Sequence, residues 1–336
     1  MPAPGAPFGL DVLKVEVSRP GRHPLALLTH GTSEDRTERA QVTPWSFLPQ
    51  AIWFARRGYV VLVIVRKGYG ISSGEQDGKY GGCHGGSFTD TGEASADDLR
   101  AAVKYAASLP EVDATTVISA GVSTGGFAQV ALTAQPPAGL KAAISFAGGR
   151  GGDGHLHNCD EGSIVSAFRS FGKKSHLPML WIYSENDQWF PPELARKFDA
   201  AFRQGGGNDK FVMVPPFSDD GHHFFGNVNG WSPIVEDFLE HQGLLPLPDL
   251  LPEPPVPDIP PPPGLRGRGL EAFHHFLMMG PKKAFAGDGQ GHWGQDAGAF
   301  NQDIADQHAI ANCQKAIKAS GNTGDTCIVV SRGANP

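Results

Sequence analysis

Short runs of apolar residues recur along the first 245 residues, separated by longer stretches of mixed polarity. Each run is apolar almost throughout, which is typical of strands covered on both faces, as in a parallel sheet. The runs are LALLT at 25–29, YVVLVIV at 59–65, TVISA at 116–120, AAISFA at 142–147, MLWIY at 179–183 and FVMV at 211–214. They predict six central strands.

Helical patterns lie between these runs. The spacing i, i+3, i+4, i+7 predicts a helix over about residues 95–108, with an apolar side formed by Leu99, Ala102, Val103 and Ala106. A second helix is predicted to start at Pro191 and Pro192 and to end at the GGG after Gln204. Alternating strands and helices predict the α/β class, with a doubly wound, mostly parallel sheet that binds ligands at the carboxyl ends of its strands.

A proline-rich segment divides the chain. Ten prolines fall between residues 246 and 263, and such a run favours an extended spacer because it lacks amide donors. We expect an α/β domain at 1–245, a linker at 246–263 and a small α+β module at 264–336. The alternative is a surface loop within one domain.

Composition and charge exclude two functions. The chain has 336 residues, with 28 Lys and Arg against 35 Asp and Glu, which gives a net charge of −7. A nucleic-acid binder needs a basic surface, so we expect no nucleic-acid partner. No run approaches the roughly 18 apolar residues of a membrane span. The N-terminus has no signal-peptide pattern, and any signal peptide of an exported form is expected to have been removed.

The motif Gly121-Val122-Ser123-Thr124-Gly125 is the main candidate for chemistry. With 44 glycines in the chain the motif alone is weak evidence. However, the predicted strand TVISA leads into it and the helical stretch FAQVALTA follows it, as a nucleophile elbow requires. Ser123 is therefore the predicted nucleophile; the alternative is a Gly-rich turn without chemistry.

A nucleophilic serine needs a base, and the base needs a carboxylate to orient it. In this architecture the acid and then the histidine follow the serine along the chain. Asp187, just past the run MLWIY, is the predicted acid, with Glu185 as the fallback and an acidic surface turn as the alternative. His222, in the loop after FVMV, is the predicted base, and His223 is the alternative.

Acyl transfer also needs donors for the oxyanion, commonly backbone amides. The amide of Thr124, directly after the nucleophile, is one candidate. The amide of Thr32 is the other, in the segment His30-Gly31-Thr32-Ser33 after the first predicted central strand. His30 is interpreted as a structural residue of this loop.

Taken together, these segments resemble the α/β-hydrolase superfamily, and within it the dienelactone-hydrolase-like and prolyl-oligopeptidase-like esterases. The resemblance covers about residues 10–245 and rests on LLTHGTS, ARRGYVVLVIVRKGYGISSGE, GVSTGG, IYSENDQWFP and GHH. It implies the same triad of Ser123, Asp187 and His222, with Thr32 and Thr124 as amide donors. Dienelactone hydrolases proper use a cysteine at the nucleophile position, so the serine favours a general carboxylic ester hydrolase.

Only about 30 residues, 148–178, separate the fourth predicted strand from the fifth. This is too short for a large helical lid, and we expect an open site. Four aromatic residues are candidates for its rim or for plain packing: Tyr69, Trp189, Phe190 and Trp231.

The four cysteines allow three pairings. We expect disulfides Cys83–Cys159 and Cys313–Cys327, which would indicate an oxidising compartment, secreted or periplasmic. The alternative is a metal site, for which soft ligands cluster at Cys83, His84, His155, His157 and Cys159. Their spacing matches no standard zinc pattern, so no metal is expected.

The tail from residue 283 predicts Gly-rich strands, a helix over about 304–319 and a final strand. It resembles a small cysteine-containing domain of unknown function found in exported bacterial proteins, for which an envelope partner is one prospect.

The sequence thus predicts a secreted serine carboxylesterase that needs no cofactor and acts on a small or polymeric ester. Two other functions stay open. One is a peptidase or amidase of the prolyl-oligopeptidase type, and the other is a non-catalytic envelope-binding protein on a hydrolase scaffold.

Overall fold

Most of the predicted strands belong to one sheet in the computed structural model of the protein, which describes residues 1–76, 87–247, 250–322 and 326–333. Its strands are β1 (Val12–Val15), β2 (His23–Thr29), β3 (Val60–Ile64), β4 (Val112–Val122), β5 (Leu140–Phe146), β6 (Met179–Ser184) and β7 (Asp209–Val214). Over the described residues the order is β1-β3-β2-β4-β5-β6-β7. Strand β1 runs antiparallel to its neighbour β3, and the other neighbouring pairs, from β3-β2 to β6-β7, are parallel.

Helices flank this sheet. They are α1 (Arg36–Ala40), α2 (Leu48–Arg56), α3 (Phe88–Ala106), α4 (Thr124–Ala134), α5 (Glu161–Gly172), α6 (Pro192–Gly205) and α7 (Val228–His241). Alternate residues of β3 such as Leu62 and Ile64 pack in one core cluster with Leu99 of α3 and Phe127 of α4. Val61 and Val63, which point the other way, are also buried. Both faces are therefore covered, which explains the near-continuous apolar runs.

The structure confirms the predicted doubly wound, mostly parallel sheet, and all six predicted strands are present in it. The helix predicted to start near residue 95 begins seven residues earlier, at Phe88, because the Ser87 side chain caps it by accepting a hydrogen bond from the Asp90 amide. Helix α6 starts at Pro192 and ends before Gly206, whose φ of 106° suits glycine.

A second compact unit holds the C-terminal region. It contains α8 (Arg268–Leu277), β8 (Ala284–Gly287), β9 (Trp293–Asp296), α9 (Gln302–Ala319) and β10 (Ile328–Ser331). Among the described residues the three strands form an antiparallel sheet in the order β10-β8-β9. A disulfide joins Cys313 and Cys327 in its core. The second unit is thus the small α+β module of the predicted fold class.

The two units comprise residues Met1–Ala40 with Gln50–Leu251, and Gln41–Pro49 with Pro252–Pro336. This grouping differs from the predicted boundaries at two places. The Leu251 amide donates to the Arg56 carbonyl, and the Leu251 carbonyl accepts from Nε of the Arg56 side chain. The start of the predicted linker therefore belongs to the first unit. Thr43 and Ser46 donate hydroxyl hydrogen bonds to the Gly298 carbonyl, which explains why 41–49 group with the second unit.

The helices were also compared with the requirements of a membrane span. None of those in the described ranges combines the length and the apolar character needed to cross a bilayer.

Candidate active site

Ser123 lies in the sharp turn between β4 and α4. Its backbone has φ 58° and ψ −123°, a conformation that residues other than glycine rarely adopt. The flanking glycines permit the turn. A Cβ on Gly121 would lie 2.5 Å from the Gly125 carbonyl oxygen, and one on Gly125 would collide with the His30 carbonyl. A strained residue and a close approach of this kind are what a nucleophile elbow requires.

Gly31 brings the loop after β2 up to the serine. A Cβ at this glycine would be 2.8 Å from the Ser123 Cβ, so any larger residue would push the loop away. The loop and the serine therefore share one small space, and Ser123 remains only 7% exposed.

Asp187 lies three residues past the end of β6 and is completely buried. Its Oδ1 accepts hydrogen bonds from the amides of Trp189, at 2.8 Å, and Phe190, at 2.9 Å. Both carboxylate oxygens lie 3.1 Å from Nδ1 of His222. Such a carboxylate fixes the ring orientation and places the Nδ1 proton.

His222 occupies the first turn of a short 3₁₀ helix, Gly221–Gly226, after β7. Its amide donates to the Asp220 carboxylate at 2.9 Å, which anchors the backbone. The rings of Trp189 and Phe190 flank the imidazole with centroid distances of 5.4 and 5.6 Å. With Nδ1 held by Asp187, Nε2 is the ring nitrogen left for proton transfer.

A cavity of about 270 Å³ lies beside Ser123. Ser123, Trp189 and Phe190 all line it, and the same two aromatic rings touch His222. Among the described side chains no hydrogen bond connects Ser123 Oγ with His222. Catalytic hydrogen bonds of this kind are often long before substrate binds and shorten in the complex.

Glu185 and His223, the alternatives for the acid and the base, are both exposed to solvent. Glu185 is exposed to solvent at the end of β6. The side chain of His223 is 74% exposed and lies 3.9 Å from Asp220. The His223 ring lies edge-on to the His222 ring, with 6.1 Å between the ring centroids.

Thr32 and Thr124 are 92 residues apart in sequence but are neighbours in the structure. Their hydroxyls share a hydrogen bond of 2.7 Å. Thr124 is the first residue of α4, so its amide has no acceptor within the helix, and the helix dipole favours an anion there. Both residues line the cavity beside Ser123. The site can therefore present amides to a developing oxyanion.

The predicted rim residues divide into two pairs. Trp189 and Phe190 line the cavity. Trp231 lies in the core instead, fully buried with its ring nitrogen donating to the Phe225 carbonyl at 2.9 Å. Tyr69 is also fully buried, and its hydroxyl bonds to Thr32 at 2.6 Å. Their aromatic surfaces pack inside the protein, as their size favours.

The loop after β5 forms the opposite wall of the cavity. It contributes the half-buried Asp153, which holds the His157 ring at 3.1 Å, and the buried Arg150. Cys159 also lines this wall. Cys83 and His84 lie outside the described residues, so the Cys83–Cys159 pairing stays a prediction. Within the described residues, His, Cys, Asp and Glu side chains form no cluster that could hold a metal.

Arg66 was not predicted from the sequence; it lies two residues after β3 and is completely buried. Its guanidinium donates to the Thr124 hydroxyl at 2.9 Å and to the Thr29 hydroxyl at 3.1 Å. The signal for it was a charged residue directly following an apolar strand at the carboxyl edge of the sheet, where ligands bind.

Comparison with known proteins places the chain in a family. The model of the dienelactone hydrolase family matches residues 46–237, more than half of the chain. No curated protein matches significantly.

Several solved structures are similar in fold. An esterase of Pyrococcus furiosus is 15% identical, with 70% of this chain and 93% of that chain covered and a TM-score of 0.49. The esterase Est2 of Thermogutta terrifontis is 18% identical, with 72% and 96% covered and a TM-score of 0.48. Acetyl xylan esterase 1 of Thermoanaerobacterium sp. is 17% identical, with 69% and 79% covered and a TM-score of 0.48. On the strength of the family model, the chain belongs to the dienelactone hydrolase family and is an ester hydrolase.

Proposed function

We propose that the protein is a serine carboxylic ester hydrolase that works through an acyl-enzyme. Ser123 is the nucleophile, His222 the general base and Asp187 the residue that orients it. The amides of Thr32 and Thr124 bind the oxyanion. The observation that carries the proposal is a strained serine turn on a small cavity whose aromatic residues, Trp189 and Phe190, also pack against the ring of a buried Asp–His pair.

In the first half of the reaction, Nε2 of His222 takes the Ser123 proton as Oγ attacks the ester carbonyl. The tetrahedral intermediate carries its negative charge on the former carbonyl oxygen, where the two amides donate. Buried Asp187 stabilises the imidazolium that forms. His222 then gives the proton to the departing alcohol, which leaves an acyl-Ser123 ester.

In the second half, a water molecule takes the place of the alcohol. His222 removes its proton as the water oxygen attacks the acyl carbonyl, and the proton returns to Ser123 Oγ when the acid leaves. The net reaction consumes one ester and one water and gives one alcohol and one carboxylic acid. Ser123 and His222 account for all of these proton transfers without a cofactor.

The small cavity of about 270 Å³ favours esters with short acyl groups. The Trp189 and Phe190 rings offer an apolar surface, and Glu34 and Asp153 lie along the same cavity. We propose small esters as the substrate class on these grounds.

The Cys313–Cys327 disulfide supports a location in an oxidising compartment, since such bonds persist there. We accordingly propose that the protein works outside the cytoplasm. An envelope partner for the second unit stays a prediction from the sequence.

Turnover of p-nitrophenyl acetate tests the proposal. Ser123→Ala should lose at least about 10³-fold in kcat, because the nucleophile is gone. A fluorophosphonate should label wild type at Ser123 and leave the variant unlabelled. Ser108→Ala is the matched control: Ser108 is exposed, and its hydroxyl donates to the nearby Tyr105 carbonyl at 2.6 Å, so label and rate should be unchanged. Equal rates for Ser123→Ala and wild type would refute the assignment.

A further inference from the structure

Arg66 lies beneath the two threonines whose amides are proposed to bind the oxyanion. Its side chain is 0% exposed and comes from the segment after β3, whereas the threonines follow β2 and β4. Three elements of the carboxyl edge of the sheet therefore meet at one guanidinium. This arrangement is separate from the serine, histidine and aspartate.

The guanidinium reaches both sides of the proposed oxyanion site. On one side Nη1 donates to the Thr29 hydroxyl at 3.1 Å and also to the His30 carbonyl, at the end of β2. On the other side Nη2 donates to the Thr124 hydroxyl at 2.9 Å, at the start of α4. The planar fork of an arginine can hold two such groups in fixed geometry, which a lysine ammonium cannot.

The direction of the hydrogen bonds follows from the chemistry of the donors. An arginine only donates, so Thr124 Oγ1 accepts from it and its own proton is left for Thr32 Oγ1, 2.7 Å away. Thr32 Oγ1 is in turn 2.6 Å from the Tyr69 hydroxyl. Arg66, Thr124, Thr32 and Tyr69 thus form a continuous chain that starts at a permanent positive charge.

Such a chain acts on the site in two ways. Successive hydrogen bonds polarise one another in a buried environment, so each holds its partner more firmly than it would alone. The link between Thr124 and Thr32 fixes the rotamers of both residues and with them the separation of the two backbone segments. The buried charge also favours negative charge nearby. Both effects matter most when the oxyanion is present.

We propose that Arg66 is a positioning residue for the oxyanion site and acts through the hydroxyls of Thr124 and Thr32. This inference rests on the proposed function, because it assumes that these two amides bind the oxyanion. It goes beyond that function by assigning a role to a buried cation and to two threonine side chains.

Thr124→Val is the sharpest variant, because it removes one hydroxyl and keeps the shape of the side chain. We expect kcat for p-nitrophenyl acetate to fall about 10- to 100-fold, the usual effect of a misplaced transition-state contact, with KM within about threefold. Thr124→Ser should restore most of the rate. Arg66→Met should lose at least as much as Thr124→Val, and Arg66→Lys should lie between wild type and Arg66→Met.

Arg57→Met is the matched control for removing a buried arginine. The Arg57 side chain is 6% exposed and pairs with Glu236 at 3.1 Å. The Arg57→Met variant should have a lower melting temperature and a kcat within about threefold of wild type.

Inhibitors separate positioning from general structure. A trifluoromethyl ketone that adds to Ser123 places an oxyanion in the site, whereas the unfluorinated ketone binds without one. The affinity of the first should fall in Thr124→Val by the same factor as kcat/KM, and the affinity of the second should not change. The proposal is overturned if folded Thr124→Val keeps wild-type kcat and trifluoromethyl ketone affinity, or if both ketones weaken equally.

A failure of the proposal for Arg66 can be distinguished from a failure of the proposed function. In that case the fluorophosphonate would not label Ser123 in wild type. If wild type is labelled and Thr124→Val behaves normally, only the role of Arg66 is refuted. Should Arg66→Met fail to fold, Thr124→Val still decides the question.

Discussion

At the scale of single residues, Asp187 shows how one side chain can set the chemistry of another. Its Oδ1 accepts two amides, from Trp189 and Phe190, while Oδ2 faces Nδ1 of His222. In Asp187→Asn the amide oxygen should keep the two backbone contacts, which leaves the NH₂ group facing His222. Nδ1 would then have to accept, and the ring proton would move to Nε2, where it blocks proton transfer from Ser123. We expect kcat to fall by about 10³- to 10⁴-fold with little loss of stability, as measured by ester turnover and thermal unfolding.

The control for this variant is Glu185→Gln, which removes a carboxylate two residues away. Glu185 is exposed, so its loss should leave kcat within about twofold. A large loss in Glu185→Gln together with a normal rate in Asp187→Asn would transfer the role of acid to Glu185.

At the scale of elements, buried strands could be predicted from the sequence and the half-exposed edge strand could not. The central strands could be predicted because both faces are covered, which leaves long apolar runs, and α6 because Pro192 and Gly206 mark its ends. Strand β1 was not predicted, since an edge strand with the half-exposed sequence VLKV has no such run. Helix α7 carries Pro233, which weakens the helical pattern.

Some residues of the candidate site could likewise be predicted from the sequence and others could not. The residues proposed as nucleophile, acid and base each follow a strand, so chain order and local motif were enough to propose them. The role of Arg66 depends on contacts with residues 36, 37 and 58 positions away, which no local pattern contains. The grouping of 41–49 with the second unit likewise depends on contacts more than 250 residues apart in sequence.

The disulfide of the second unit gives a prediction at this scale. Cys313 of α9 and Cys327 before β10 are buried in a small core and lie 14 positions apart along the chain. Closing a loop of this length stabilises the folded state by about 3 kcal/mol. The double variant Cys313→Ser and Cys327→Ser should lower the unfolding free energy of this unit by about that amount. The rate of limited proteolysis within residues 252–336 measures the loss. The variant is preferable to a reductant, which would also act on any other disulfide. Proteolysis at the wild-type rate would contradict the prediction.

At the scale of the whole molecule, stability should depend on pH through buried carboxyl groups. Asp209, the first residue of β7, has a fully buried side chain 3.2 Å from Arg203. Burial, and then the neighbouring Asp199 carboxyl, raises its pKa to about 7. Between about pH 4 and 7 the folded protein therefore holds a proton that the unfolded chain releases. Its contribution to stability is complete below pH 4 and is lost as the pH rises through 7.

Two variants test the role of Asp209 in this dependence. In Asp209→Asn the decline in stability should flatten by up to about 1.4 kcal/mol for each pH unit in the window, the maximum for one proton. It should not vanish, because burial also raises the pKa of Asp98 and Asp296. In Asp199→Asn one of the causes of the raised pKa is removed, so the same decline should move to lower pH. Lys283 does not interfere, since burial lowers its pKa to about 8 and its effect lies above that pH. Chemical denaturation at steps between pH 4 and 8 measures all three proteins, and an unchanged slope in Asp209→Asn would show that other carboxyls carry the dependence.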